Sequence, residues 1–413
     1  MKSDLIIDGD GHVVEVNETY DTIDPAYLAM RPVYTQASKG NIVRLVDGKV
    51  WGRDASSGFA GVNGNLPPPG GKALHYRRMG TYNPWARLPD MDADHIDVAV
   101  IYPTDELPLT VTPDAGFAAA RARAYNDWLF NYCQVSPQRL KGIGVVPLQD
   151  VELAEQELNR AVTELGMVGI QIGCTVREDT LLSDHRLDPF WAEAQRLDVA
   201  VAVHGPALPS FFRGYFDVNR PDQMLEVSHM AHTFAQMLAC SNVVTSGVLE
   251  RFPKLRIAFL EAGGGWVPYW MNRMDEYNEV APERWANLSA KPSEYIKSGR
   301  VFFSCEPGDA FIPHFLEHVG EDAMLFASDY LHFDALFVGE AGHDGQIYPG
   351  TVTTLKERTD IPESAKRKMM LDNSMKYYNF KEAHLGEIGD AVTRDEPDKA
   401  RNGAMPGTIS ARL

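Results

Sequence analysis

Residues 199–206 read Val199-Ala200-Val201-Ala202-Val203-His204-Gly205-Pro206, an apolar run that stops at one histidine and a Gly-Pro turn. Small and β-branched residues without polar alternation mark a strand buried on both faces, as in parallel sheets. A histidine after such a strand and before a turn stands at a rim. A lone imidazole beside a core is more often structural, so its companions elsewhere in the chain decide. Leu325-Phe326-Ala327-Ser328-Asp329-Tyr330 repeats the design with a carboxylate, and Leu5-Ile6-Ile7 runs into Asp8-Gly9-Asp10-Gly11-His12. Alternate side chains of extended backbone share a face, so Asp8, Asp10 and His12 are expected to point the same way.

Eight β-rich runs recur, at 5–7, 98–102, 142–146, 168–172, 199–203, 256–260, 301–304 and 324–327. Helical stretches separate them, among them 114–133, 151–165, 189–197 and 231–252. Strand alternating with helix implies a parallel sheet, and eight repeats favour a (β/α)8 TIM barrel over an open doubly wound sheet. A barrel places its chemistry just after the strands, where these polar residues lie. Two regions break the repeat. Residues 31–88, which hold Leu66-Pro67-Pro68-Pro69-Gly70-Gly71, are too long for a plain connection and are expected to form a lid or cap on a barrel of residues 1–386. Residues 387–413 read as an extended or disordered C-terminal arm.

The composition narrows the function classes. In 413 residues, 39 Lys+Arg stand against 57 Asp+Glu, a net charge of −18 that opposes nonspecific binding to nucleic acid or anionic lipid. An anionic substrate then needs local cations, for which Arg53, Arg77, Arg78, Arg213 and Arg220 are available. Cys133, Cys174, Cys240 and Cys305 are scattered with no CxxC pair, which suits a reducing cytoplasm better than a disulfide framework. No apolar run is long enough for a signal or a membrane span.

In a barrel, Asp10, His12, His204 and Asp329 converge at one end. Two imidazoles and two carboxylates suit one divalent ion, Zn²⁺ first and Mn²⁺ second, with a coordination position left for substrate or water. Such an ion polarises oxygens or activates water, which serves hydrolysis and carbon–carbon cleavage alike. Organic cofactors are not indicated, because GIG at 142–144 lacks the third glycine of a dinucleotide fingerprint and GGG at 263–265 lacks the remainder of a P-loop.

The chain resembles the amidohydrolase superfamily, in the branch called amidohydrolase family 2, related to aminocarboxymuconate-semialdehyde decarboxylase and γ-resorcylate decarboxylase. The resemblance spans nearly all of residues 4–380. It is carried by DGDGHVVE at 8–15, VAVIYPT at 98–104, VAVHGP at 201–206, the segment 247–276, VFFSCEP at 301–307 and FASDYLHFD at 326–334. It implies a metal-centred barrel with Asp10, His12, His204 and Asp329 as ligands. Two departures matter. Many relatives carry His-x-His where this chain has Asp10-Gly11-His12, and the decarboxylases place a catalytic histidine where this chain has Glu261.

Further acid–base candidates are His229 and His232, three apart on a helix, and Glu306 after the seventh run, while His332 is placed to orient a loop. Asp329, Glu261, His232 and Glu306 form the catalytic set. The expected activity is metal-dependent nonoxidative decarboxylation or hydrolysis of a small unsaturated or aromatic carboxylate, by a cytoplasmic homo-oligomer. A metal-dependent hydratase and a non-catalytic ligand- or partner-binding barrel are the alternatives.

Overall fold

The computed structural model describes residues 5–36, 42–50, 78–177, 180–205, 224–330, 336–342, 345–381 and 385. Its main sheet has eight parallel strands: β1 (Ile7–His12), β5 (Val98–Tyr102), β6 (Leu140–Val145), β7 (Gly169–Ile172), β10 (Ala200–Val203), β11 (Ile257–Phe259), β12 (Val301–Cys305) and β13 (Met324–Phe326), neighbours in that order. The last strand returns to the first. Asp329 N donates to Asp10 O at 3.0 Å and His12 N to Tyr330 O at 2.6 Å, so the seam between β13 and β1 closes just above the strands. The architecture is a (β/α)8 barrel, and each of the eight runs read from the sequence lies on or beside one of these strands.

Side-chain parity divides the core in two. Val98, Val100 and Tyr102 of β5, Ala200 and Ala202 of β10 and Phe302 of β12 fill the barrel, whereas Ala99, Ile101, Val201, Val203, Val301 and Phe303 pack outward on the helices. Both sets are fully buried, which explains why the strand sequences show no polar alternation. Leu371, Tyr377, Tyr378 and Phe380, beyond the last strand, join the interior set. Tyr378 Oη donates to Gly9 O at 2.7 Å and meets Tyr102 Oη at 2.7 Å, so the segment after the barrel supports the metal-facing strand from within.

The insertion after β1 contains a three-stranded antiparallel sheet of β2 (Val33–Gln36), β3 (Ile42–Val46) and β4 (Lys49–Val50), and its end forms the helix Pro84–Ala93. A small pair, β8 (Thr175–Val176) and β9 (Thr180–Leu181), follows β7. Residues 37–41 and 51–77 of the expected lid, with Arg53 and Arg77, as well as Arg213, Arg220, His332 and the arm at 387–413, lie outside the described residues.

Two boundaries differ from expectation. The first strand does not end at Ile7 but starts there, and the Asp-Gly-Asp-Gly-His stretch is itself strand. Its pairing with β5 shifts register between Asp8 and Gly11. This bulge breaks the alternation that would place Asp8 beside Asp10 and His12, and Asp8 turns instead to Ser328 and Arg87. The long helix expected at 231–252 is two helices, Met224–Thr245 and Val248–Arg251, parted at Gly247 with φ 81°.

Candidate metal and acid–base site

At the carboxyl end of the barrel, β1 delivers Asp10 and His12, and the residue after β10 delivers His204, all with 2% exposure or less. Donor atoms of these three lie within 4.8 Å of one another. Asp10 Oδ1 is 3.2 Å from His204 Nε2 and 3.6 Å from His12 Nε2, while Asp329 Oδ1 is 3.6 Å from the same His12 nitrogen. Strands far apart in sequence thus bring the four expected ligands together.

Each of these side chains is held from behind. His12 Nδ1 donates to Pro103 O at 2.7 Å; a carbonyl can only accept, so in the neutral ring Nε2 carries the lone pair that faces the cluster. Ser304 Oγ donates to Asp10 Oδ2 at 3.0 Å and accepts from Glu261 N at 3.0 Å, which ties β12 to both β1 and β11. Gln171 Nε2 reaches His204 O at 3.3 Å. Asp8 lies below the cluster, accepting from Ser328 N at 2.9 Å and Ser328 Oγ at 2.5 Å. Burial pushes its carboxyl up to about 6, against the opposing effects of those bonds and of Arg87. Burial likewise holds the Tyr102 and Tyr378 phenols protonated far above neutral pH.

The donor set is two imidazoles and two carboxylates in a nearly water-free setting. Burying two carboxylates so close together is costly unless a cation lies between them, and the mixed nitrogen and oxygen donors fit a divalent ion. Held by Asp10, His12, His204 and Asp329, such an ion would act as a Lewis acid on substrate oxygens.

Glu261 and His232 adjoin this set. Glu261 Oε2 is 3.3 Å from His204 Nδ1 and 2.8 Å from His232 Nδ1. Glu261 has φ 58° and Asp329 φ 50°, both in the left-handed region that non-glycine residues seldom adopt, so both functional strand ends are turned sharply inward. Glu306 follows β12 on the same rim but is exposed. His229 lies on the helix Met224–Thr245, and its side chain is outside the description.

Sequence reasoning missed Ser304 and the Pro103 carbonyl. Ser304 carried a signal: it is the one hydroxyl in Val-Phe-Phe-Ser-Cys and shares inward parity with Phe302. The carbonyl of Pro103 carried none, since any residue supplies one.

The fold and site define a metal-type (β/α)8 hydrolase or lyase barrel, and comparison with known proteins makes the class specific. The amidohydrolase family model matches residues 7–380, and the chain belongs to that family. The γ-resorcylate decarboxylase of Rhodococcus jostii (strain RHA1) is 31% identical over 289 residues, covering 62% of this chain and 82% of that protein. The 2-amino-3-carboxymuconate-6-semialdehyde decarboxylase of Dictyostelium discoideum is 26% identical over 322 residues, covering 74% and 79%. Among solved structures, a 5-carboxyvanillate decarboxylase from Novosphingobium aromaticivorans with bound manganese superimposes with a TM-score of 0.66 at 20% identity, covering 92% of this chain and 98% of the other.

Proposed function

We propose that this protein is a divalent-metal-dependent carboxy-lyase that removes CO₂, without oxidation, from a small aromatic or unsaturated carboxylate. The observation that carries this reading is the convergence of Asp10, His12, His204 and Asp329 at the barrel mouth in a chain whose family relatives include decarboxylases. Zinc suits the paired imidazoles; manganese, the second choice, is the ion bound in the carboxyvanillate relative. No helix among the described residues is long and apolar enough to cross a membrane. The setting we propose is the cytoplasm, where the four buried free thiols stay reduced, and the assembly a homo-oligomer.

The reaction breaks the bond between a ring or vinyl carbon and its carboxylate and forms a C–H bond in its place. One proton must therefore reach that carbon as CO₂ leaves. Asp329, next to His12, is placed to hold or move a proton at Oδ1, and the Glu261–His232 pair supplies the second acid–base position. Glu306, at the exposed rim, is the candidate for exchange with solvent. The buried walls around Asp10 and His204 exclude water, which favours carbon protonation over hydrolysis.

The test is CO₂ release from a panel of hydroxybenzoates and unsaturated carboxylates, run with chelator-stripped, zinc-loaded and manganese-loaded protein. Turnover is expected only in loaded samples, with close to one ion per chain and most of it lost in His204→Ala. A metal-loaded protein that releases no CO₂ but hydrolyses or hydrates a panel member would replace this reading with one of those chemistries.

A further inference from the structure

We propose that His314, Glu317 and His318, on the outer wall of the barrel, form a second site for one divalent transition ion of the Zn²⁺ type, separate from the four residues at the mouth. Such an ion binds whichever reaction the mouth performs.

The helix Ile312–His318 joins β12 to β13. Ile312, Phe315 and Val319 recur at helical spacing and are buried in the core that surrounds the strands. The opposite face therefore looks to solvent, and positions 314, 317 and 318, related as i, i+3 and i+4, share it. All three residues are exposed, and one donor atom of each lies within 4.8 Å of those of the other two. The rings of His314 and His318 stand edge to face with centroids 4.5 Å apart, and His318 Nε2 is 3.8 Å from Glu317 Oε2. Around a tetrahedral zinc with bonds of about 2.0–2.1 Å, donors stand roughly 3.4 Å from one another. Closing to that spacing asks for side-chain rotation at exposed positions.

The donor chemistry selects the ion. Imidazole nitrogen suits zinc, nickel and copper, whereas magnesium and calcium prefer oxygen and manganese stands lowest in the first-row order of affinity. Among the described residues Glu317 pairs with no lysine or arginine, and the two rings hydrogen-bond to no other side chain, so binding breaks no ion pair to a basic residue. The net charge of −18 also draws cations to the surface. Residues one turn apart come together only on the folded helix, so the ion stabilises the connection between β12, which bears Ser304, and β13, which leads to Asp329. With three donors open to water, against four at the mouth, this is the weaker site. It empties on desalting and leaves the single ion expected of the purified protein.

The experiment titrates Zn²⁺ above neutral pH into untagged, full-length protein that has been zinc-loaded and desalted, so that the mouth is filled. Calorimetry should record uptake of one further ion per chain in wild type and none in the double variant His314→Ala/His318→Ala. Both substitutions fall on an exposed helix face, so the variant should fold and keep the circular dichroism spectrum of wild type. Glu317→Gln should retain the second uptake with weakened affinity. Excess Zn²⁺ should raise the Tm of the loaded wild type and leave that of the double variant unchanged. Mg²⁺, at concentrations where Zn²⁺ saturates, should give no second event. A wild type that takes up no further zinc, a second uptake that persists in the double variant, or equal binding of Mg²⁺ overturns the proposal. A desalted wild type that holds no ion would instead defeat the reading of the mouth, while the difference in zinc uptake between wild type and double variant still decides the outer site.

Discussion

Ser304 shows how a side chain with no acid–base power of its own can govern the site. Its hydroxyl donates to Asp10 Oδ2 and accepts from Glu261 N, so one oxygen sets the orientation of the Asp10 carboxylate and the strained backbone of Glu261. In Ser304→Ala, Asp10 Oδ2 and the Glu261 amide lose a partner at 2% exposure of the serine, at a cost of about 1–3 kcal/mol. Urea unfolding should register that loss, and zinc affinity should fall about tenfold. Full retention of both would mean that the Asp10 carboxylate is held elsewhere. Asp8 gives the complementary lesson: an acid one bulge away from Asp10 and His12 serves the seam with Ser328 instead.

At the scale of elements, the small sheet of the insertion is fastened to the barrel through Asp105, which bonds the Tyr34 hydroxyl of β2 and the buried Arg44 of β3. Arg44 of β3, 1% exposed, reaches Asp105 Oδ1 at 3.2 Å and Glu106 Oε1 at 3.3 Å, in the loop that follows β5 and carries Pro103. Arg121 pairs with the other oxygen of Glu106 at 2.8 Å. Arg44→Met leaves buried carboxylates undercompensated and should destabilise by roughly 3–5 kcal/mol, with faster proteolysis in 33–50 than in the barrel strands. Equal proteolysis in both regions would show that the sheet is held by other contacts. Glu15 belongs to the same knot, accepting from Asp105 N at 2.9 Å and Glu106 N at 3.1 Å. Burial, and then the charge of Glu106, push its carboxyl up to about 7 from an ordinary 4.5. A raised folded-state pKa means that this contribution to stability is full below about 4.5 and is lost as pH rises through 7. The stability advantage of wild type over Glu15→Gln should therefore shrink across that interval in urea titrations; a constant difference would mean that the backbone donors keep Glu15 ionised throughout.

For the whole molecule, closing the barrel and assembling the metal site are one event, because β1 and the end of β13 meet through Asp10 and Asp329 themselves. An ion that binds these ligands only in the folded state stabilises the entire barrel. At a free concentration a hundred times its Kd it should add about 2.7 kcal/mol, visible as a higher Tm on reloading the chelator-stripped protein. Identical Tm values with and without the ion would separate the site from the fold.

The barrel was legible because its strands are buried on both faces: uninterrupted runs such as Val98–Tyr102 and Ala200–Val203 announce themselves without any knowledge of their partners. The residues that gather at the barrel mouth were legible as well, since His204 and Asp329 interrupt the pattern just where apolar strands end. Their partners were not, because hydrogen bonds from Ser304 to Asp10 and from His12 to the Pro103 carbonyl join residues 294 and 91 positions apart. Only tertiary structure decided that a bulge turns Asp8 away from Asp10, and that a helix outside the strand repeat brings His232 to Glu261. The physical reason is one of range: burial and periodicity act on each segment separately, whereas a shared oxygen exists only after distant segments have met.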